Sequence, residues 1–221
     1  MPMQSSKRVY YFTPPDHALE NLERKRLKVS RFSQCNDPFE LASFSQKDKE
    51  LRTQFRRWLQ HMDSKYGLLC FCRRWRNPVM WAHYAKNHTG VCYGFDVAPE
   101  NLFKVRYVKE RLQAKANAKN IPSQMGMDKI ENLIATKFQH WSYEEEYRML
   151  VTLPAAPHQG NLIFESFSDT FQLREVIIGF KSEIAVSSAQ SLVDREAVEV
   201  FKSRPAFQKF EICRQRNKTL W

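Results

Sequence analysis

A chain of 221 residues with 35 Lys and Arg against 24 Asp and Glu carries a formal net charge of +11 and has a pI near 9.5, and this length suits one compact domain spanning 1–221. Hydrophobic residues at 43%, aromatics at 13% and 16 phenylalanines supply a packed core and exclude a disordered chain. No window approaches eighteen consecutive apolar residues, and Met1 to Arg8 lacks the apolar stretch of a secretory signal, so a cytoplasmic protein without a membrane span is expected.

Val9–Phe12 reads as a strand, followed by a helix capped by Thr13 with Pro15 in its first turn and running to about Arg26. Leu27–Ser30 returns as a second strand. Leu51, Phe55, Trp58, Leu59 and Met62 form one apolar stripe, which predicts a helix over about 47–63. Leu68–Phe71 reads as a buried strand, and Asn77-Pro78 as the cap and first turn of a helix over Val79–Lys86. Two strands, Val91–Phe95 and Phe103–Tyr107, precede two polar helices, the second over about Asp128–Phe138 with Ile130, Leu133 and Ile134 inward. Glu145–Leu153 is a strand, Pro154–Gly160 a turn-rich loop, Leu162–Phe164 a short strand and Arg174–Gly179 a central one. A helix near 183–195 and strands at Val198–Phe201 and Phe207–Cys213 close the set. Helices and strands interleave without a regular β-α period, so the expected fold is α+β: a twisted, split, mixed sheet with flanking helices.

The most polar strand is Trp141-Ser-Tyr-Glu-Glu-Glu-Tyr-Arg-Met-Leu-Val151. A period of two sets Glu144, Glu146, Arg148 and Leu150 on one face. Two neighbouring carboxylates repel when both are ionised, and Arg148 lowers that cost. Such an anionic face suits departure of a leaving group from a sugar anomeric carbon, where positive charge develops beside a carboxylate. A solvated Glu/Arg ladder on an edge strand accounts for the same pattern without chemistry.

Leu69 to Ala85 runs a buried strand through the basic loop Arg73-Arg74-Trp75-Arg76 into a capped helix bearing Trp81, His83 and Tyr84, a combination able to hold a nucleotide. Arg73, Arg74 and Arg76, with Trp75 as a stacking ring, are candidate nucleic-acid contacts, and so is the basic stretch from Arg204 to Lys218. Arg31 to Glu40 contains the turn Asn36-Asp37-Pro38. The five cysteines, an odd number, read as reduced thiols, and Cys70-x-Cys72 lacks zinc-knuckle spacing, so no metal is expected. The six glycines form neither a Walker nor a Rossmann cradle. Three functions remain open: an enzyme acting on a nucleotide, a non-catalytic nucleic-acid-binding protein, and a metal-dependent nuclease built on Asp37, Glu40, Glu144 and Glu146.

Phe39 within Asn36–Glu40, Leu69-Cys70-Phe71, Met80–Ala85, His88–Asp96, Trp141-x-x-Glu144-x-Glu146-Tyr147-Arg148 and Arg174–Gly179 together resemble the signature of domain-of-unknown-function family 2971 over a core of about 8–214. More distantly, the order of elements, Asn77-Pro78-Val79-Met80-Trp81 and Glu144-x-Glu146 before Met149-Leu150-Val151 resemble the DarT-type and wider ADP-ribosyltransferase superfamily. That resemblance implies a transferase moving ADP-ribose from NAD to a macromolecular acceptor such as DNA or RNA, in a toxin or anti-phage defence role. It implies that Glu146, helped by Glu144, is catalytic, that Arg31 grips the NAD phosphate, and that Asn36, Phe71, Trp81, His83 and Tyr84 line the NAD site.

Overall fold

A computed structural model describes residues 6–43, 45, 49–112, 127–154 and 162–221, with the side chains of 127–130 left aside. The first expected polar helix after Tyr107, the side chain of Ile130 and most of the Pro154–Gly160 loop lie outside the described residues. The elements are β1 (Lys7–Thr13), α1 (Pro15–Glu23), β2 (Arg26–Val29), α2 (Lys49–Lys65), β3 (Tyr66–Cys72), α3 (Pro78–Tyr84), β4 (Val91–Val97), β5 (Phe103–Lys104), β6 (Arg106–Val108), α4 (Met127–Ile134), β7 (Thr136–Phe138), β8 (Glu146–Thr152), β9 (Ile163–Ser166), β10 (Phe171–Ile178), α5 (Val186–Gln190), β11 (Glu199–Pro205) and β12 (Ile212–Arg214).

An α+β architecture is observed. Eight strands form one mixed sheet in the order β12-β11-β10-β4-β1-β3-β8-β5, with β10 and β11 parallel, and two small sheets pair β2 with β9 and β6 with β7. The sheet is split in its middle: β1 pairs with β4 along its whole length, but meets β3 only at Tyr10 and Cys72. Beyond that point the two strands diverge, and Ser30, just after β2, makes an isolated bridge to Leu68 of β3.

Side-chain alternation assigns the two faces. Val9, Leu69, Phe71, Tyr93, Phe95, Met149, Val176 and Ile178 point to one face and pack with Ala18 and Leu22 of α1 and Ala189 of α5. On the opposite face the cover changes along the sheet. Phe12, Cys92, Ile177 and Phe201 lie under Met80 and Trp81 of α3, whereas Leu68 lies under Phe55, Trp58 and Met62 of α2 and Leu133 and Ile134 of α4. Between these two apolar clusters, where β1 and β3 part, the face is polar.

Several boundaries differ from expectation for identifiable reasons. Thr13 does not cap α1; Pro14 occupies the cap position with no side-chain bond, and the helix stops at Glu23 because Lys25 adopts φ +47°. Phe103–Tyr107 divides at Val105, whose N–H bonds to the Glu146 carbonyl. The helix expected to reach Phe138 ends at Ile134, and Thr136–Phe138 pairs in parallel with β6. The helix near 183–195 shortens to Val186–Gln190. Asn77 caps α3 as expected, its side chain accepting from the Val79 N–H at 2.9 Å.

Candidate active site

Residues 139–144 form a 3-10 turn rather than the start of the acidic strand, and Glu145 breaks from it with φ +45°. This left-handed step is costly for a non-glycine residue. It is held by the Arg73 N–H on the Glu145 carbonyl at 3.1 Å and by the Glu146 N–H donating to the Tyr107 hydroxyl at 2.8 Å. The step returns Glu144 to the side occupied by Glu146 and Arg148, so the three share a face although only two lie on the strand.

That face opens into a cavity of about 230 Å³ at the fork between β1 and β3. Tyr10, Tyr11 and Phe12 line it from β1, Cys70, Phe71 and Cys72 from β3, Met80 and Tyr84 from α3, and Glu144, Glu146, Arg148 and Lys137 from below. Arg148 is fully buried. Its guanidinium grips Glu40 at 2.5 and 3.0 Å and Glu146 at 2.9 and 3.1 Å, and Nη1 also donates to the Ile134 carbonyl. Lys137 Nζ bridges Glu144 at 2.5 Å and Glu146 at 3.2 Å. Toward the mouth, the Tyr84 hydroxyl donates to Glu144 and accepts from Asn36 Nδ2 at 2.5 Å.

Three carboxylates thus face two cations, and their environments drive them apart. Burial alone would raise the Glu146 carboxyl, but Arg148 and Lys137 overcome it and hold its pKa at about 2. Burial raises Glu144, with only partial relief from Lys137, and Glu146 pushes the same way as burial. Burial also raises Glu40 against the pull of Arg148. A carboxylate pair with one member firmly ionised and its neighbour inclined to hold a proton is the arrangement that divides acid–base roles at neutral pH.

A second cavity of about 940 Å³ shares Tyr11 and Ser30 with the first and is lined by Arg24, Arg26 and Lys28. Arg26 lies over the Phe164 ring, and its buried Nε has no hydrogen-bond partner among the described residues.

The site residues expected from sequence divide accordingly. Glu144, Glu146, Asn36, Phe71 and Tyr84 line the first cavity. Arg31 does not: its guanidinium donates to the Asp63 carbonyl at 2.7 Å, drawn to the unsatisfied C-terminal end of α2. Trp81 is fully buried, edge-on to Phe12, with its indole N–H on the Trp75 carbonyl, and has no face on the cavity. His83 is exposed near Tyr143 and likewise lies off the lining. Arg73 and Arg74 are exposed and face Glu145, and Arg76 is exposed over the Trp75 ring. Trp75 itself is buried against Phe201, so it cannot stack on a base. The sequence alone did not point to Lys137, whose only signal is a charged residue between Thr136 and Phe138, and it offered Glu40 only as a metal-nuclease candidate, not as a partner of Arg148.

Among the described residues no group of three His, Cys, Asp or Glu side chains is arranged to hold a metal ion. Asp37 Oδ1 accepts the Phe39 N–H, and the oxygens of Glu40 and Glu146 face cations already. Among the same residues no helix is long and apolar enough to cross a membrane.

Residues 80–149 match DUF2971, a protein family of unknown function. The DUF2971 segment runs from Met80 to Met149 and holds Tyr84, Lys137, Glu144, Glu146 and Arg148. Most of the charged lining therefore lies within it, while Glu40 and the β1 wall reach the cavity from outside it. No curated protein and no solved structure matches the chain.

Proposed function

We propose that this protein is an ADP-ribosyltransferase-like enzyme that moves ADP-ribose from NAD to a macromolecular acceptor, with nucleic acid favoured by the +11 charge. The observation that carries this reading is the convergence of Glu144 and Glu146, held in opposite protonation tendencies, on one cavity at the fork of a split sheet. As the bond from the ribose anomeric carbon to nicotinamide breaks, its electron pair leaves with nicotinamide and positive charge develops on the ribosyl ring. The Glu146 carboxylate, ionised at neutral pH, is the group positioned to stabilise that charge. The acceptor's nucleophile forms the new bond to the same carbon, and its proton passes to Glu144, which Tyr84 and Asn36 orient.

Size supports a division of the ligand. A cavity of roughly 150 Å³ accepts a benzene ring, so 230 Å³ suits the nicotinamide end of the dinucleotide. The remainder then extends past Tyr11 and Ser30 into the larger cavity, where Arg24, Arg26 and Lys28 take the phosphate-gripping part first expected of Arg31. One observation favours a second reading, a non-catalytic nucleic-acid-binding protein: both Glu146 oxygens are already engaged by Arg148 and Lys137, which a purely structural ion network would also produce.

Label transfer separates the two. With NAD labelled in its adenosine half and DNA, RNA or protein offered as acceptor, the parent chain labels one polymer, and Glu146→Gln reduces that labelling by about 100-fold or more. The transfer rate falls as pH is lowered through a value above the ordinary glutamate 4.5, because protonation disables Glu144 as a base, and Glu144→Gln abolishes this acid limb. Equal labelling by Glu146→Gln, or labelling of no polymer, returns the protein to the second reading.

A further inference from the structure

The β11–β12 hairpin projects from the edge of the large sheet, closed by the Ala206 N–H on the Glu211 carbonyl. Phe207 and Phe210 at its tip are 90% and 100% exposed, and none of the hydrophobic clusters includes either. Two bare phenylalanine rings three residues apart are unusual on a surface otherwise rich in charge. The Arg204 guanidinium lies over the Phe207 ring at 4.3 Å, and Lys209 stands exposed between the two rings. Among the described residues, neither Arg204 nor Lys209 nor Arg76 forms an ion pair.

This surface is continuous with the loop that borders the carboxylate site. The Ile212 N–H, at the first ladder position after the hairpin turn, donates to the Arg76 carbonyl at 2.8 Å. From Arg76 the loop leads back to Arg74, which pairs with Glu145 at 2.8 Å, between the two cavity glutamates. Exposed cationic groups and aromatic rings therefore lie along one path from the hairpin tip to the neighbourhood of Glu144.

We infer that the β11–β12 hairpin is a docking site for single-stranded nucleic acid, whose bases stack on Phe207 and Phe210 while its phosphates follow Lys209, Arg204 and Arg76. A polymer alternating flat apolar rings with one negative charge per unit matches rings set among unpaired cations, and base–aromatic stacking tolerates any sequence. A duplex hides its bases and gains only the phosphate contacts. An anionic membrane matches the tip equally well, but it leaves the basic path toward the cavity without use. The inference deepens the proposed function by naming the acceptor, yet binding needs no NAD, so it stands or falls apart from transfer.

Fluorescence anisotropy with a labelled mixed-sequence 20-nucleotide single strand, its duplex, and vesicles of one part phosphatidylserine to three of phosphatidylcholine tests it on the full chain without NAD. The double variant Phe207→Ala/Phe210→Ala, altered only at exposed positions and checked by circular dichroism, is expected to bind the single strand at least tenfold more weakly and the duplex within twofold of the parent. Arg76→Ala and Lys209→Ala each reduce the salt slope of single-strand binding by about 0.7. Single-strand binding that does not depend on the phenylalanines overturns the inference. So does phenylalanine-dependent vesicle binding with no oligonucleotide binding, which assigns the tip to a membrane instead.

Discussion

At the scale of single residues, Arg148 organises the site. Its guanidinium bonds both Glu40 and Glu146, using both sides of its fork. Buried ion clusters add little net stability, because desolvation offsets attraction, but removing one member strands the charges left behind. Arg148→Leu leaves the three buried carboxylates Glu40, Glu144 and Glu146 with Lys137 as their one cation among the described residues, and is expected to cost about 3–5 kcal/mol in denaturant unfolding at neutral pH. Adding Glu40→Gln to that variant removes one stranded charge and should recover a substantial part of the loss. If the double variant proves no more stable than the single one, Arg148 acts through packing and the electrostatic account fails. Arg148 and Lys137 together hold the Glu146 carboxyl down at about 2, whereas the pull of Arg148 on Glu40 does not overcome the burial that raises it.

At the scale of elements, α3 and the acidic turn are joined at both ends of the helix, by Asn77 and by Tyr84. Asn77 caps α3 through its oxygen and donates through Nδ2 to the Tyr143 carbonyl at 2.9 Å, one residue before Glu144. Tyr84, on the last turn of the same helix, closes the connection on Glu144 itself. Asn77→Ala loses both bonds and is expected to cost about 1–2 kcal/mol; Asn77→Ser restores the cap but not the tie to Tyr143. Thermal unfolding should therefore rank parent, serine and alanine in that order, while label transfer falls in both variants. A serine variant with full transfer would show that the tie to the turn does not matter. The Asn-Pro cap was legible because its chemistry is local: an acceptor beside free N–H groups and a ring with fixed φ. The left-handed Glu145 was not, since nothing in Glu144-Glu145-Glu146 favours positive φ, and contacts from Arg73 and Tyr107 impose it. The period-of-two reading reached the right face for Glu144 for a reason the backbone does not follow. Trp75 illustrates the converse failure: flanked by arginines in sequence, it is buried because the loop crosses to Phe201 on a strand far away in the chain.

At the scale of the molecule, the fork decides where ligand can act. The strands β12, β11, β10, β4 and β1 form one wing, and β3, β8 and β5 the other; between β1 and β3 the only ladder pairing is Tyr10 with Cys72. A mixed, split sheet was readable from the irregular alternation of elements, but the position of the split was not, because it depends on which strands diverge after pairing once. The cavity takes walls from both wings, with Tyr11 and Phe12 on one and Cys70 and Phe71 on the other. A ligand seated there spans the fork and opposes its opening, so its binding free energy is coupled to the local stability of both wings. NAD at saturation is therefore expected to slow amide hydrogen exchange in Tyr11–Thr13 of β1 and in Leu69–Phe71 of β3 together. The amides of β12, on the far edge, should remain unchanged. Protection of one wing alone would mean that the ligand rests on one wall of the fork, and then Glu146, which belongs to the β3–β8 wing, would have no partner across the cavity to hold a ribose against it.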